Sequence, residues 1–304
     1  SPRALGYAMR IVWPRGALLL LVVACVALLG CSATTELPPI ADVDIDERLP
    51  GKFGWHNLIT ADAETARAFY GALFGWEFTV EDDGRYSVIS HGGRNIGGIV
   101  SANEGKAPKR AHWMSAVSVT DLDGALRAVE AAGGKQLEAP VDVPGIGRVV
   151  TVEDSGGALL HLLATGKGDP PDREPSVNEW LWHELLANDL SRSLAFYEEA
   201  FGYEVTKIER ESDREYHVLW SLDVPRGAVM DNPFDNVRSV WIPYLRVDDP
   251  EAAAAKAEKL GGEIIIRPQP EIRNGTLALV LDPSGAPIAL QKWSPSTARA
   301  EVLK

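Results

Sequence analysis

The chain is poor in cysteine, with only Cys25 and Cys31 among 304 residues. Residues 32–304 therefore contain no thiol, which excludes disulfides, thiolate metal sites and cysteine nucleophiles from that part of the chain. A thiol-free body suits an exported protein in an oxidising compartment.

Basic residues are also in deficit. The chain has 30 lysines and arginines against 43 aspartates and glutamates, a net charge of −13. Residues 1–30 contain three arginines and no acidic residue, so the remainder carries −16. So acidic a body does not offer the basic surface that nucleic acid binding needs, and we expect no nucleic acid partner.

The long apolar run is too short to span a membrane. It covers residues 17–30, ALLLLVVACVALLG, whereas a spanning helix needs about 20 residues. With Arg10 and Arg15 before it, the run predicts a signal peptide over residues 1–30; an uncleaved anchor or a buried helix is the alternative. The letters LLGC resemble a bacterial lipoprotein processing box, which implies cleavage before Cys31 and lipid attachment to its thiol. We therefore expect an exported protein that is lipid-anchored to a membrane of the cell envelope.

Proline-bearing polar stretches divide the rest of the chain. Residues 31–51 are acidic and without apolar periodicity, and they predict a flexible tether. Residues 166–177 have the same character and predict a linker. The expected domains are 52–165 and 178–293, followed by a tail at 294–304.

A long motif occurs twice. WHNLITADAETARAFYGALFGWEF begins at Trp55, and WHELLANDLSRSLAFYEEAFGYEV begins at Trp182. Asp62 can cap a helix whose apolar residues recur at i, i+3, i+4, i+7 and i+8, and Gly75 can end it. Short β-branched and aromatic runs flank the helix and predict strands. A related unit follows each copy, so the predicted fold is α+β, with four tandem βαβββ modules paired into two domains.

Over residues 53–293 the chain resembles the vicinal oxygen chelate superfamily. The resemblance lies in the repeated motif and in two further stretches, VPGIGRVVTVEDSGGALLHLLAT and LALVLDPSGAPIALQKW. That superfamily includes glyoxalases, bleomycin-resistance proteins and extradiol dioxygenases. The resemblance implies two glyoxalase-like domains, each enclosing a cup between its two modules. Because such folds host many chemistries, it leaves open whether the chain is an enzyme.

Metal-dependent members of that superfamily bind a divalent ion through inward-facing His, Gln or Glu side chains. The resemblance places Trp55 and Trp182 at the first such position, with Trp113 and Trp241 on the equivalent strands of the other modules. An indole N–H has no lone pair for a cation, so these residues cannot ligate. We therefore expect no metal and no other cofactor.

The histidines lead to the same expectation. Strand alternation puts His56 and His183 on the helix side of the sheet, and His112, beside Trp113, is expected there too. His161 matches a last-strand ligand of metal-binding relatives, but its counterpart is Ala289, and a single ligand cannot build a catalytic site. A divalent-metal site using His161, His56 and His112 through a one-residue register shift is the alternative.

The inward positions instead predict binding of a small organic ligand. The candidate contacts are Trp55, Asn57, Trp113, Ser115 and His161 in the first cup, and Trp182, Glu184 and Trp241 in the second. Indole walls with a few polar groups suit a flat or apolar molecule, and Glu184 suits a cation; the tryptophans could equally fill the cups.

The leading hypothesis is a lipid-anchored, small-molecule-binding protein without a catalytic metal. The alternatives are a metal-dependent glyoxalase-like lyase or extradiol dioxygenase, and an envelope scaffold or interaction protein. The oligomeric state is left open.

Overall fold

The structure is a computed structural model that describes residues 37–38, 40, 47–102, 110–209 and 215–293. The predicted signal peptide, Cys31 and the predicted tail lie outside these residues. Among the helices in the described ranges, none combines the length and apolar character needed to cross a bilayer.

The first domain contains two α-helices and nine strands in the described ranges. In chain order they are Phe53–Thr60 (β1), Ala63–Phe74 (α1), Glu77–Glu81 (β2), Tyr86–His91 (β3), Arg94–Ser101 (β4), His112–Ser118 (β5), Leu122–Ala131 (α2), Lys135–Gln136 (β6), Val141–Val143 (β7), Gly147–Glu153 (β8) and Leu159–Thr165 (β9).

The second domain repeats this order. Its elements are Trp180–Ala187 (β10), Leu190–Phe201 (α3), Glu204–Ile208 (β11), Tyr216–Ser221 (β12), Val224–Asp231 (β13), Val240–Val247 (β14), Pro250–Lys259 (α4), Glu263–Ile266 (β15), Leu277–Leu281 (β16) and Pro287–Lys292 (β17).

Local sequence signals set the helix ends. The Asp62 carboxylate accepts a hydrogen bond from the Thr65 N–H, and Gly75 ends α1 in the left-handed region at φ 72°. The second copy uses Asp189 and Gly202, with φ 66°, in the same way. The predicted start and stop of the first helix are confirmed.

Each domain is one continuous sheet built from two modules. In the first, β1 pairs with β4 and β5 pairs with β9 in parallel, and the antiparallel pair β1–β5 joins the modules. The strand order is β2-β3-β4-β1-β5-β9-β8-β6, with β7 beside β8. The second sheet has the order β11-β12-β13-β10-β14-β17-β16-β15. The predicted α+β fold of four βαβββ modules is confirmed.

The two domains pack through their helix-bearing faces. Helix α1 contacts α4 of the other domain, and α2 contacts α3. One apolar cluster joins Phe69 and Tyr70 of α1 to Ala254 and Ala257 of α4. A second joins α2 to Phe196 and Tyr197 of α3. The sheet faces opposite the helices therefore point away from the domain interface.

The segments around the domains are packed against them. The backbone N–H of Leu49 donates to the Asp169 carboxylate at 2.7 Å, and the Asp169 N–H donates to the Glu47 carbonyl at 2.8 Å. The Ser118 hydroxyl donates to the same carboxylate at 2.6 Å. The predicted tether is thus corrected at its end, because residues 47–51 belong to the folded body.

Candidate functional site

The cups are the sheet faces opposite the helices, and a bulge decides which side chains enter them. The register of β1 shifts between Phe53 and Trp55, so these residues lie on opposite faces although two positions apart. Phe53 stacks on His183 at the domain interface, with ring centroids 4.2 Å apart, while Trp55 packs among cup residues. A matching shift in β10 places Trp182 in the second cup.

The placement predicted for Trp113, Ser115 and Trp241 is wrong. Directly paired residues of antiparallel strands share a sheet face, and the cup residue opposite Trp55 is Ala116. Trp113 pairs with Leu58 and donates its indole N–H to the Tyr70 hydroxyl at 3.0 Å, inside the interface core.

The other two misplaced residues follow the same rule. Ser115 pairs with His56 on the helix side, and Trp241 donates to the Tyr197 hydroxyl at 2.7 Å. These three side chains are therefore parts of the domain interface.

The histidines divide between the two faces. His56 and His183 lie on the helix side, as alternation predicts, and His56 Nδ1 is 3.1 Å from the Ser115 hydroxyl. His112 pairs with Ile59, a residue of a cup-side cluster, so its predicted helix-side placement is wrong. His161 pairs with Ala116 and lies on the cup face.

The first cup contains a triangle of hydrogen bonds. The Trp55 indole N–H is 3.2 Å from Asn57 Oδ1 and 3.1 Å from the Tyr86 hydroxyl, which donates to the same Asn57 oxygen at 3.0 Å. Burial raises the pKa of Tyr86. Trp55 is only 2% exposed, so this cup is closed around it.

His161 takes part in a short relay beside that triangle. Its Nδ1 lies 3.2 Å from the Thr151 hydroxyl, which also donates to Glu138. Burial, and then the proximity of His112, lower the pKa of His161 to about 4, so its ring is neutral at pH 7. Burial also raises the pKa of Glu138.

The second cup is built around a buried carboxylate. Glu184 is 1% exposed and accepts hydrogen bonds from Tyr216 at 2.5 Å and from Tyr244. Arg273 forms an ion pair with Glu184, and Trp182 donates its indole N–H to the Tyr216 hydroxyl at 2.9 Å. This cup is therefore aromatic, charged and fully hydrogen-bonded at the carboxylate.

Small exchanges at equivalent positions make the two cups different. The second sheet pairs Tyr244 with Ala289, and the first pairs Ala116 with His161. In each pair an alanine leaves room for a larger side chain. The larger residue is His161 on the last strand, β9, in the first sheet, but Tyr244 on β14 in the second sheet. Duplication thus supplied one frame with two distinct linings.

The donor set does not fit a catalytic metal. Such a site needs three or more protein ligands that converge, whereas of the three candidate histidines only His112 and His161 lie on the cup face and His56 lies on the opposite face. In the part of the chain that the structure describes, no group of three or more His, Cys, Asp or Glu side chains is arranged to hold an ion.

Sequence reasoning missed Tyr86, Tyr216, Tyr244 and Arg273. The two strand-starting tyrosines could have been found by aligning RYSVIS with EYHVLW, which occupy equivalent strands of the repeat. Arg273 gives no such signal, because it comes from the loop before β16 and reaches Glu184, 89 positions away in the chain.

Comparison with known proteins agrees with this architecture. Residues 52–162 and 181–290 each match the model of the Glyoxalase/Bleomycin resistance protein/Dioxygenase superfamily. The protein "Putative glyoxylase CFP32" of Mycobacterium bovis is 30% identical over 256 residues, which is 81% of this chain and 96% of that protein. The chain belongs to the Glyoxalase/Bleomycin resistance protein/Dioxygenase superfamily.

One further relative and one solved structure are similar to this chain. "Anthracycline biosynthesis protein DauV" of a Streptomyces species is 27% identical over 255 residues, covering 78% of this chain and 91% of that protein. The crystal structure of the Mn(II)-bound glyoxalase from Novosphingobium aromaticivorans aligns with a TM-score of 0.58 at 16% identity, covering 81% of this chain and 83% of the other. At that identity the structural likeness concerns the fold alone.

Proposed function

We propose that the protein binds a small planar aromatic cation in the second cup, beside Glu184. The observation that carries the proposal is a buried carboxylate enclosed by the rings of Trp182, Tyr216 and Tyr244. A carboxylate combined with electron-rich ring faces is the arrangement that recognises organic cations.

Arg273 already occupies the position of such a cation. Its guanidinium bonds Glu184 and lies 5.4 Å from the ring centroid of Tyr216 and 5.5 Å from that of Tyr244. A ligand ammonium that entered the cup would take over these interactions, and Arg273 would have to move out. We therefore treat Arg273 as the resident cation with which a ligand competes.

The backbone around Arg273 favours such an exchange. Arg273 and Asn274 have φ angles of 48° and 52°, in the left-handed region that residues other than glycine rarely adopt. Strain of this kind lowers the cost of rearranging the loop when a ligand arrives. The name of the Streptomyces relative adds support, because anthracyclines are polycyclic aromatic molecules.

Matched aromatic probes test this proposal. The cation 9-(aminomethyl)anthracene, the neutral 9-(hydroxymethyl)anthracene and the anion anthracene-9-carboxylate share one ring system and differ in charge. Isothermal titration calorimetry should show that the protein binds the cation about tenfold more tightly than it binds the neutral probe. The Glu184→Gln variant should abolish this preference, and Arg273→Ala should raise the affinity for the cation.

A control variant separates the site from general charge effects. Glu179→Gln removes another buried, arginine-paired carboxylate that lies outside both cups, and it should leave the probe preference intact. Equal affinities for the three probes, or tightest binding of the anion with loss in Arg273→Ala, would contradict the proposal.

We also propose that the protein is exported and held at the cell envelope by lipid on Cys31. The supporting observations are the basic residues, the apolar run and the LLGC sequence before that cysteine. In a bacterial host fed radioactive palmitate, the full chain should be labelled and should sediment with membranes. Cys31→Ser should abolish both results and Cys25→Ser neither; label retained in Cys31→Ser would exclude this attachment.

A further inference from the structure

The first cup holds a part of the chain itself. Leu37 and Ile40 are 9% and 5% exposed, and both belong to the apolar cluster that contains Trp55, Ala116 and Leu163. The Leu37 N–H donates to the Pro144 carbonyl at 3.0 Å. An apolar contact and a backbone hydrogen bond thus hold the N-terminal segment, defined here as Leu37, Pro38 and Ile40, against the cup.

The sequence of this segment suits the contact. It reads Leu-Pro-Pro-Ile from Leu37 to Ile40, and consecutive prolines favour a polyproline II conformation with three residues per turn. The two apolar side chains, Leu37 and Ile40, both enter one apolar cluster. Little conformational freedom is lost on binding, because the prolines restrict the chain beforehand.

Gly145 makes room for the segment. It has φ +84°, and a Cβ atom there would lie only 1.8 Å from the Leu37 carbonyl oxygen. The two copies differ in the loop that precedes equivalent strands: the loop before β8 carries Pro144 and Gly145, and the loop before β16 carries Ile272 and Arg273. One cup therefore receives a segment of chain where the other receives an arginine side chain.

The exposure of the equivalent tryptophans reflects this difference. Trp55 is 2% exposed beneath the segment, whereas Trp182 remains partly exposed in the second cup. We infer that the first cup is a peptide-binding site for an extended apolar sequence of the Leu-Pro-Pro-Ile type, and that its resident occupant is the protein's own N-terminal segment. This site is separate from the second cup and does not depend on the function proposed there.

A peptide supplied in trans tests the inference. In the full chain, Leu37→Asp combined with Ile40→Asp removes both apolar anchors and should empty the cup. A fluorescently labelled peptide with the sequence of residues 34–43, TTELPPIADV, should then bind the variant at least about tenfold more tightly than it binds the wild-type chain, by fluorescence anisotropy. The same peptide carrying aspartate in place of the leucine and isoleucine should not bind.

A glycine pair provides a second route to an empty cup. Gly145→Ala should exclude Leu37 by collision, and Gly84→Ala is its matched control, because Gly84 has φ +87° and an added Cβ there would meet no neighbouring atom within 4 Å. Hydrogen exchange measured by mass spectrometry should show faster exchange at Leu37 and in Phe53–Thr60 for Gly145→Ala and no change there for Gly84→Ala.

If a variant fails to fold, hydrogen exchange of the wild-type chain in the presence of the peptide tests the inference instead. Excess TTELPPIADV peptide should compete with the resident segment and accelerate exchange of the Leu37 amide, while the aspartate peptide should not. No binding to the folded double variant, or no acceleration in the wild-type chain at the highest soluble peptide concentration, would overturn the inference.

Discussion

The imidazole rings of His56 and His183 stack on each other across the domain interface, with centroids 4.9 Å apart and planes 14° from parallel. The two residues occupy the same position in the two copies of the repeated motif. Both are present because the motif that contains them occurs twice, and the packing of the two domains brings the two histidines together. Their buried position makes them pH-dependent elements of stability.

Replacing His183 should make the protein more resistant to mild acid. Burial lowers the pKa of His183 to about 3, against about 6.5 for an unfolded histidine. The neutral ring therefore contributes its full stability above pH 6.5, and that contribution is lost as the pH falls from 6.5 toward 3. At pH 5 the loss is about 2 kcal/mol for one such histidine.

The variant His183→Phe tests this expectation. Phenylalanine can keep the stacking on Phe53, and His183 Nε2 has no hydrogen-bond partner within the described part of the chain. Urea unfolding measures the free energy of unfolding of both proteins at pH 8 and pH 5. The decrease from pH 8 to pH 5 should be about 2 kcal/mol smaller in the variant than in the wild type. Parallel curves for the two proteins would show that His183 is not the titrating group.

Two equivalent tyrosines should each stabilise the domain interface. Tyr70 of the first domain donates to the Asp282 carboxylate of the second at 3.0 Å. In the reverse direction, Tyr197 of the second domain donates to the Asp154 carboxylate of the first at 2.8 Å. Each hydroxyl also accepts from a buried indole N–H. Removing either hydroxyl should cost about 1–3 kcal/mol, because a carboxylate and an indole both lose a partner.

Urea unfolding of Tyr70→Phe, Tyr197→Phe and the double variant measures these costs. The two sites belong to different apolar clusters, so their effects should add within about 0.5 kcal/mol. A single variant as stable as the wild type would mean that its hydrogen bond makes no net contribution.

Glu179 should contribute stability that is lost in strong acid. Burial alone would raise the pKa of this carboxyl, but hydrogen bonds from Arg173, the Ser176 N–H and Arg94 outweigh burial and hold the pKa at about 2. Because the folded value lies below the ordinary 4.5, the contribution is complete above pH 4.5 and declines as the pH falls toward 2.

The comparison of Glu179→Gln with the wild type isolates this contribution. Since the side chain is 2% exposed, the wild type should lose up to about 3 kcal/mol more than the variant between pH 5 and pH 2. Thermal unfolding across this range provides the measurement. An equal loss in both proteins would assign the acid sensitivity to other carboxyl groups.

Gly98→Ala should disrupt the hydrogen-bond triangle of the first cup. A Cβ atom at Gly98 would lie 2.0 Å from the Tyr86 hydroxyl and 2.7 Å from Asn57 Oδ1. The substitution should therefore displace Tyr86, shift the NMR resonance of the Trp55 indole N–H and cost about 1–3 kcal/mol. The equivalent residue of the second domain is Ala228, and Ala228→Gly should leave that resonance unchanged.

Local signals in the sequence were sufficient for the modules and the frame of the site. Asp62 and Gly75 bound a helix through contacts within a few residues of chain, and strand alternation correctly placed His56 and His183 on the helix side. The proposed ligand carboxylate, Glu184, was also a candidate from its strand position. Such features depend on residues that are close in sequence, so they can be predicted from the sequence alone.

The sequence by itself determined four βαβββ modules, the boundaries of the first helix and the absence of thiols from residues 32–304. Only the tertiary structure decided which face received each tryptophan, because the bulges of β1 and β10 and the pairing of Trp113 with Leu58 depend on strands brought together by folding. It also decided what fills each cup. Arg273 and Leu37 reach their positions by packing between distant segments, and no periodicity in the sequence records such a contact.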